Sequence, residues 1–307
     1  MQRNTGLRWR PAPAEAVAGK RIAVVGGTGG IGRALARRLA GLGAHVVVVG
    51  RTFRDADLPG IWFVEADLSL MREARRAAAL LPAERLDALV FTTGIFAAPQ
   101  RQETAEGIER DMAVSYLNRL AMLEALAPRL GRERAAGAAR PRVFVTGYPG
   151  TGATGDPDDL NAEGAYRQMP VQLNTVAGNE ALVLDAARRW PHAAFFGLNP
   201  GLVRTGIRAD FFGRDSIKGR VIDRLVNLLA TPPERYVERI LPLLFSPDLD
   251  AHGGAMFDHK GRAILPSAGL DADRVARFID ASERLLARAG VRTAPPGASS
   301  SAQSCRA

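Results

Sequence analysis

The chain has 307 residues, 47% hydrophobic and 24% charged. That is enough for one large domain, and it excludes a disordered chain, a collagen-like chain and a disulfide-stapled miniprotein. The formal net charge is +9 and the pI is about 10.6, but only Lys20, Lys218 and Lys260 are lysines. The positive charge is arginine spread along helix-like stretches (Arg33, Arg37 and Arg38; Arg72, Arg75 and Arg76). Solvated helix faces explain it, and no nucleic-acid partner is expected.

No apolar run approaches the roughly 20 residues of a membrane helix, so no membrane span is expected. The first residues carry no apolar stretch of the secretory type. Cys305 is the single cysteine, which allows no internal disulfide and suggests a cytoplasmic setting. Residues 1–19 read as a flexible Pro/Ala/Arg arm and residues 293–307 as a disordered low-complexity tail.

Between them, short β-branched runs alternate with longer amphipathic stretches. The runs fall at 21–25, 45–49, 61–64, 88–91, 142–146 and 194–198. The helix-like stretches fall at 30–42, 71–81, 105–130 and 171–190. This rhythm predicts an α/β fold, a doubly wound parallel sheet of Rossmann type in one domain over 20–292. Beyond residue 205 the pattern predicts a helical substrate-side insertion, or lid, at about 207–229. A helix over 233–245, a last strand at 253–257 and a final helix over 271–289 follow.

The first run leads into Gly26-Gly27-Thr28-Gly29-Gly30-Ile31-Gly32, and Arg33 then opens a helix. A strand, a glycine loop and a helix start make an anion site. The helix start offers free N–H groups and partial positive charge, and glycines let the backbone approach a pyrophosphate. The second run ends in Gly50-Arg51 with no carboxylate there to hold ribose hydroxyls. Arg51, with Arg33 assisting, therefore suits the 2′-phosphate of NADP(H).

With these features the chain resembles the short-chain dehydrogenase/reductases, in their retinol-dehydrogenase and protochlorophyllide-reductase-like branch. The resemblance covers about residues 20–205 closely and 230–258 loosely. It implies that Gly26, Thr28, Gly30, Ile31 and Gly32 line the phosphates. It implies that Asp67 and Leu68 contact adenine, and that Thr93 and Gly94 end the fourth strand where the family usually has Asn-Ala-Gly. Asp159-Leu160-Asn161 matches a phrase common in that branch. Asn199-Pro200-Gly201 and Thr205 match the segment that cradles the nicotinamide, so Pro200, Gly201 and Thr205 join the cofactor set. A homodimer through helices 105–130 and 171–190 is also implied.

The family works with a tyrosine, a lysine four residues later, a serine and an asparagine. Alignment puts Gln172, Val176, Gly147 and Ser115 at those positions. Residues four before the three lysines are Ala16, Arg214 and Met256, so no Tyr-x-x-x-Lys occurs, and no serine lies between Ser115 and Ser216. Tyr148, Tyr166, Gln172 and Asn118 are the candidate catalytic substitutes. Thr146 and Thr151 are further hydrogen-bond donors. The histidines show no metal spacing, so no metal site is expected. Three functions stay open. The first is an NADP(H)-dependent oxidoreductase with an atypical active site, acting on a hydrophobic, activated small molecule such as an iminium or enone. The second is a non-redox enzyme of small-molecule biosynthesis on the same scaffold. The third is a nucleotide-binding pseudoenzyme.

Overall fold

The computed structural model describes residues 1–204 and 230–291. The expected lid at 207–229, Thr205 and the tail at 293–307 lie outside the described residues.

Eight strands form one sheet, ordered β3-β2-β1-β4-β5-β6-β7-β8. They are β1 (Arg21–Val25), β2 (His45–Gly50), β3 (Ile61–Glu65), β4 (Ala88–Phe91), β5 (Arg142–Thr146), β6 (Ala194–Leu198), β7 (Met256–Phe257) and β8 (Ala263–Ile264). All pairs are parallel except β7 with β8. The central strands are buried on both faces, as their almost wholly apolar sequences require. The order reverses between β1 and β4, which places a binding crevice at their carboxyl ends.

Helices cover both faces: α1 (Gly30–Gly41), α2 (Met71–Leu80), α3 (Arg110–Met112), α4 (Asn118–Leu126), α5 (Gln168–Arg189), α6 (Pro233–Leu244) and α7 (Ala272–Arg288). The single helix expected over 105–130 is instead composite. Residues before Glu109 form a loop closed by a bridge between Glu103 and Glu109. A π turn over Ala113–Leu117 then joins α3 to α4. Asn118 donates from Nδ2 to the Ala113 and Val114 carbonyls, at 2.8 and 2.6 Å, which satisfies acceptors that the widened turn loosens. Among the described residues, no helix is long and apolar enough to cross a membrane.

Residues 1–19, expected as a flexible arm, are tied along the far edge of the sheet. Arg3 bridges Ile264, the Trp9 indole donates to the Gly261 carbonyl, and Arg10 pairs with Asp248 at 2.7 Å. Burial of Val17 and partial burial of Leu7 and Trp9 against the core add to these bonds.

The two stretches expected to pair two copies are covered over much of their length within one chain. In α5, every residue from Asn174 to Val183 is buried, and in α4 only Ala125 reaches solvent appreciably. The cover includes α7. Phe278 packs edge-on against Tyr116 with ring centres 5.8 Å apart, and Ser282 accepts from the Tyr116 hydroxyl at 2.8 Å. Gly178 makes room for this: a Cβ there would stand 2.9 Å from the Tyr116 ring and 3.0 Å from Phe278. Phe278→Ala is expected to lower the unfolding free energy by about 3–5 kcal/mol, read as a lower urea midpoint at unchanged slope.

Candidate active site

The glycine loop meets the end of β4 at close quarters. Gly26 has φ +86°, and a Cβ there would lie 2.7 Å from the Thr93 nitrogen. A Cβ on Gly32 would collide with Thr92 Oγ1 and the Gly26 carbonyl. Thr28 packs onto the end of β2, where a Cβ on Gly50 would stand 2.6 Å from its methyl. Gly29 precedes α1 and offers no side-chain cap, and a Cβ at Gly29 would meet nothing within 4 Å. Backbone amides at the start of a helix, uncapped and facing open space, fit a pyrophosphate. Gly30 has φ +47°, and the Ile31 side chain packs back against the core.

Beyond β2, Arg51 is exposed. Arg33 forks onto Asp55 with two bonds of 2.8 Å, and Arg37 adds a third at 2.6 Å. The Arg33 hydrogen bond, with Arg37 and against burial, holds the Asp55 carboxyl below its usual range. The Asp55 carboxylate is thus buried and taken by two cations. Asp67 is exposed and accepts from the Ser69 amide, while Leu68 points into the core.

Past β6, Asn199 accepts from the Gly201 amide and donates to the Pro149 carbonyl. Pro200 is buried, and Gly201 has φ +63° against His259. The Tyr148 hydroxyl donates to the Gly201 carbonyl at 3.3 Å, so Tyr148 and the Pro200-Gly201 segment share one wall. A Cβ at Gly147 would stand 3.1 Å from the Asn179 side chain, so a larger residue there requires Asn179 to give by a few tenths of an ångström. Behind this wall the Tyr236 hydroxyl is buried without a protein partner among the described residues, and burial pushes its pKa far up.

All four catalytic candidates are bonded to backbone. Gln172 Oε1 accepts from the Ala97 amide at 2.9 Å, and Gln168 donates to the Ala97 carbonyl at 2.7 Å. Tyr166 donates to the Ala98 carbonyl at 2.6 Å, and burial pushes its pKa up to about 12. Together they staple the loop after β4 to the start of α5. Asn118 is buried in the π turn and accepts from Thr93 Oγ1 at 3.4 Å. Tyr148, half-buried on the loop after β5, is the fourth. Thr151 donates to the Tyr148 carbonyl and braces that loop.

Beneath the strand ends lies a polar layer that sequence reasoning missed. Arg119 is 1% exposed. It donates to the Thr146 carbonyl at 2.7 Å, to Asn179 Oδ1 at 2.5 Å and to the Thr93 carbonyl. Asp111 is fully buried and accepts from Ser115 Oγ at 2.5 Å and Thr175 Oγ1 at 3.2 Å. Ser115 Oγ also accepts from the Ile95 amide at 2.9 Å. Burial first, then Glu109, pushes the Asp111 pKa up to about 8. The signal was an arginine inside the apolar run Leu117–Leu126, and an Asp and Ser four apart on one helix face.

Known proteins place this architecture. The short chain dehydrogenase family profile matches residues 20–139. An uncharacterized oxidoreductase of Saccharomyces cerevisiae, YKL107W, is 47% identical over 272 residues, covering 87% of this chain and 88% of its own. Human retinol dehydrogenase 14 is 27% identical, covering 87% and 86%. Among solved structures, the Pseudomonas aeruginosa RhlG/NADP active-site complex superposes with a TM-score of 0.57 at 22% identity, covering 81% of this chain and 98% of that one. The unbroken likeness to the yeast oxidoreductase, on a sheet wound in this order, makes the chain a member of the short-chain dehydrogenase/reductase family.

Proposed function

We propose that the chain is an NADP(H)-dependent oxidoreductase with an atypical active site, acting on a hydrophobic, activated small molecule such as an iminium or conjugated enone. One observation carries this reading: the phosphate cradle at Gly26–Gly32 opens beside an exposed Arg51, while the nearby acid, Asp55, is held by Arg33 and Arg37. A guanidinium fork at that place matches a 2′-phosphate, and a carboxylate occupied by two arginines is poorly placed to accept ribose hydroxyls. The cofactor, when bound, supplies the hydride. The chain positions the reactants and excludes water with the stapled loop Ile95–Ala98. Tyr148 is the hydroxyl best placed to give a proton to a substrate oxygen. Gln172, which has no proton to give, and Tyr166 serve as clamps.

A second reading, a nucleotide-binding protein without turnover, draws support from the same clamps. The position where the family keeps its proton donor is spent on holding a loop. Titration with all four nicotinamide dinucleotides, then turnover against iminium, enone and simple alcohol panels, separates the two. Tight binding without turnover favours the second, and no binding removes both.

Arg51→Ala is expected to weaken NADPH binding by about 10- to 100-fold and leave NADH nearly unchanged, measured by calorimetric titration. Tyr148→Phe is expected to lower turnover of carbonyl substrates by about 100-fold or more. Iminium substrates need no proton at oxygen, and steady-state assays should show them unaffected.

A further inference from the structure

We propose that Arg119 is a positioning residue that makes the dinucleotide site favour the reduced cofactor, NADPH, over NADP⁺. The inference rests on the cofactor reading above and adds a direction to it.

In a doubly wound sheet the pyrophosphate lies at the first strand–helix turn, and each half of the sheet takes one nucleotide. The second nucleotide would therefore lie over the carboxyl ends of β4, β5 and β6. The Arg119 guanidinium is fixed directly beneath two of these ends, by the carbonyls of Thr93 and Thr146. Asn179 holds it from α5 and in turn donates to the Ser115 and Thr175 carbonyls. The cation is buried and pairs with no carboxylate within 4.0 Å among the described residues, and its Nε finds no acceptor. Burial pulls its pKa down to about 9, which leaves it protonated at neutral pH.

A buried charge without a counter-ion keeps a long reach, since little solvent screens it. The nicotinamide ring is positive in NADP⁺ and neutral in NADPH. The field of Arg119 opposes the first and is indifferent to the second. All other parts of the two dinucleotides carry the same charge, so the ratio of their affinities isolates this effect.

Asp111 sets the pH range. It is the acid whose charge acts on Arg119, and it is held by Ser115 and Thr175. Other titratable groups face it. Glu109, at the start of α3, has its own pKa raised by burial and senses Arg101. Tyr166 reaches toward it from the segment ahead of α5, and Arg119 faces it from α4. Below about pH 8 Asp111 keeps its proton and leaves Arg119 uncompensated. Above that pH its carboxylate forms and cancels part of the field.

Calorimetric titration of the full chain with NADPH and NADP⁺ tests this. At pH 6.5 NADPH is expected to bind tighter by roughly tenfold. The ratio should shrink between pH 6.5 and pH 8, a range in which Arg119 keeps its charge, and stay constant over that range in Asp111→Asn. Arg119→Lys should keep the preference, and Arg119→Met should bring the ratio near one. A merely structural role would weaken both forms together and leave the ratio alone. Equal affinities in the unaltered chain at pH 6.5, or an unchanged ratio in Arg119→Met, would overturn the proposal. Should Arg119→Met fail to fold, the pH profile of the unaltered chain decides, and a flat ratio overturns it. Failure of both dinucleotides to bind refutes the cofactor reading itself, which a ratio of one at good affinity does not.

Discussion

The crevice exists because two glycines leave no room for a methyl group. Gly26 and Gly32 let the first turn pack directly on Thr92 and Thr93, so the two halves of the sheet meet at β1 and β4 without a side chain between them. The Thr92 hydroxyl then donates to the Val25 carbonyl at 2.9 Å and ties the fourth strand to the end of the first. With that junction closed, α1 starts where its amides point into the crevice, and Thr28 seats on Gly50 at the end of β2. A side chain at Gly26 would meet backbone, which cannot swing aside, and its φ is one that L residues rarely adopt. Phosphate cradle, strand order and loop after β4 are thus one constraint seen from three sides.

The other end of the crevice follows from the polar face that α5 turns toward the loop after β4 and toward α4. Residues 172, 175 and 179 lie three to four apart along α5, on one helix face. Each carries a polar side chain that bonds to the β4 loop, to Asp111 on α3 or to Arg119. Val176, on the same stretch of α5, is buried. Arg119 brings positive charge to this region from below, on α4. A buried arginine is tolerable because its donors meet strand-end carbonyls and an amide oxygen, which solvate the cation as water would. Its lack of a carboxylate partner leaves net charge under the crevice, where a tightly paired ion would have hidden it.

Much of the sheet was readable in the residues. β1, β4, β5 and β6 have the predicted bounds, because each is a short, largely apolar run ended by a polar turn or a glycine turn. The π turn was not readable, since its wider hydrogen-bond spacing leaves no mark on hydrophobic periodicity. The two-residue β8 is too short to show alternation, and it forms by pairing with β7 and the chain's own first residues. Arg119 was hidden for another reason. A helical arginine beside apolar neighbours reads as a solvated edge, and only the tertiary fold shows that both flanks are occupied. Asp55 shows the same limit, since only the fold brings this carboxylate, four residues past Arg51, onto Arg33.

The last helix links the site to how the molecule meets others. A stretch of α5 buried for ten residues running needs cover on every side, and in this chain α7 is part of it. Docking a helix of the same chain avoids the translational and rotational entropy that a second copy would lose. The same helix reaches the crevice. Arg274 donates to the Thr154 and Gly155 carbonyls, and Arg277 pairs with Asp158. These residues belong to the segment that begins at Tyr148, so α7 steadies the loop that carries the remaining hydroxyl. Gly155 makes the coupling tight, because a Cβ there would stand 2.7 Å from the Phe278 ring. Loosening α7 therefore disturbs the wall around Tyr148 together with the cover of α5, and the two cannot be varied independently.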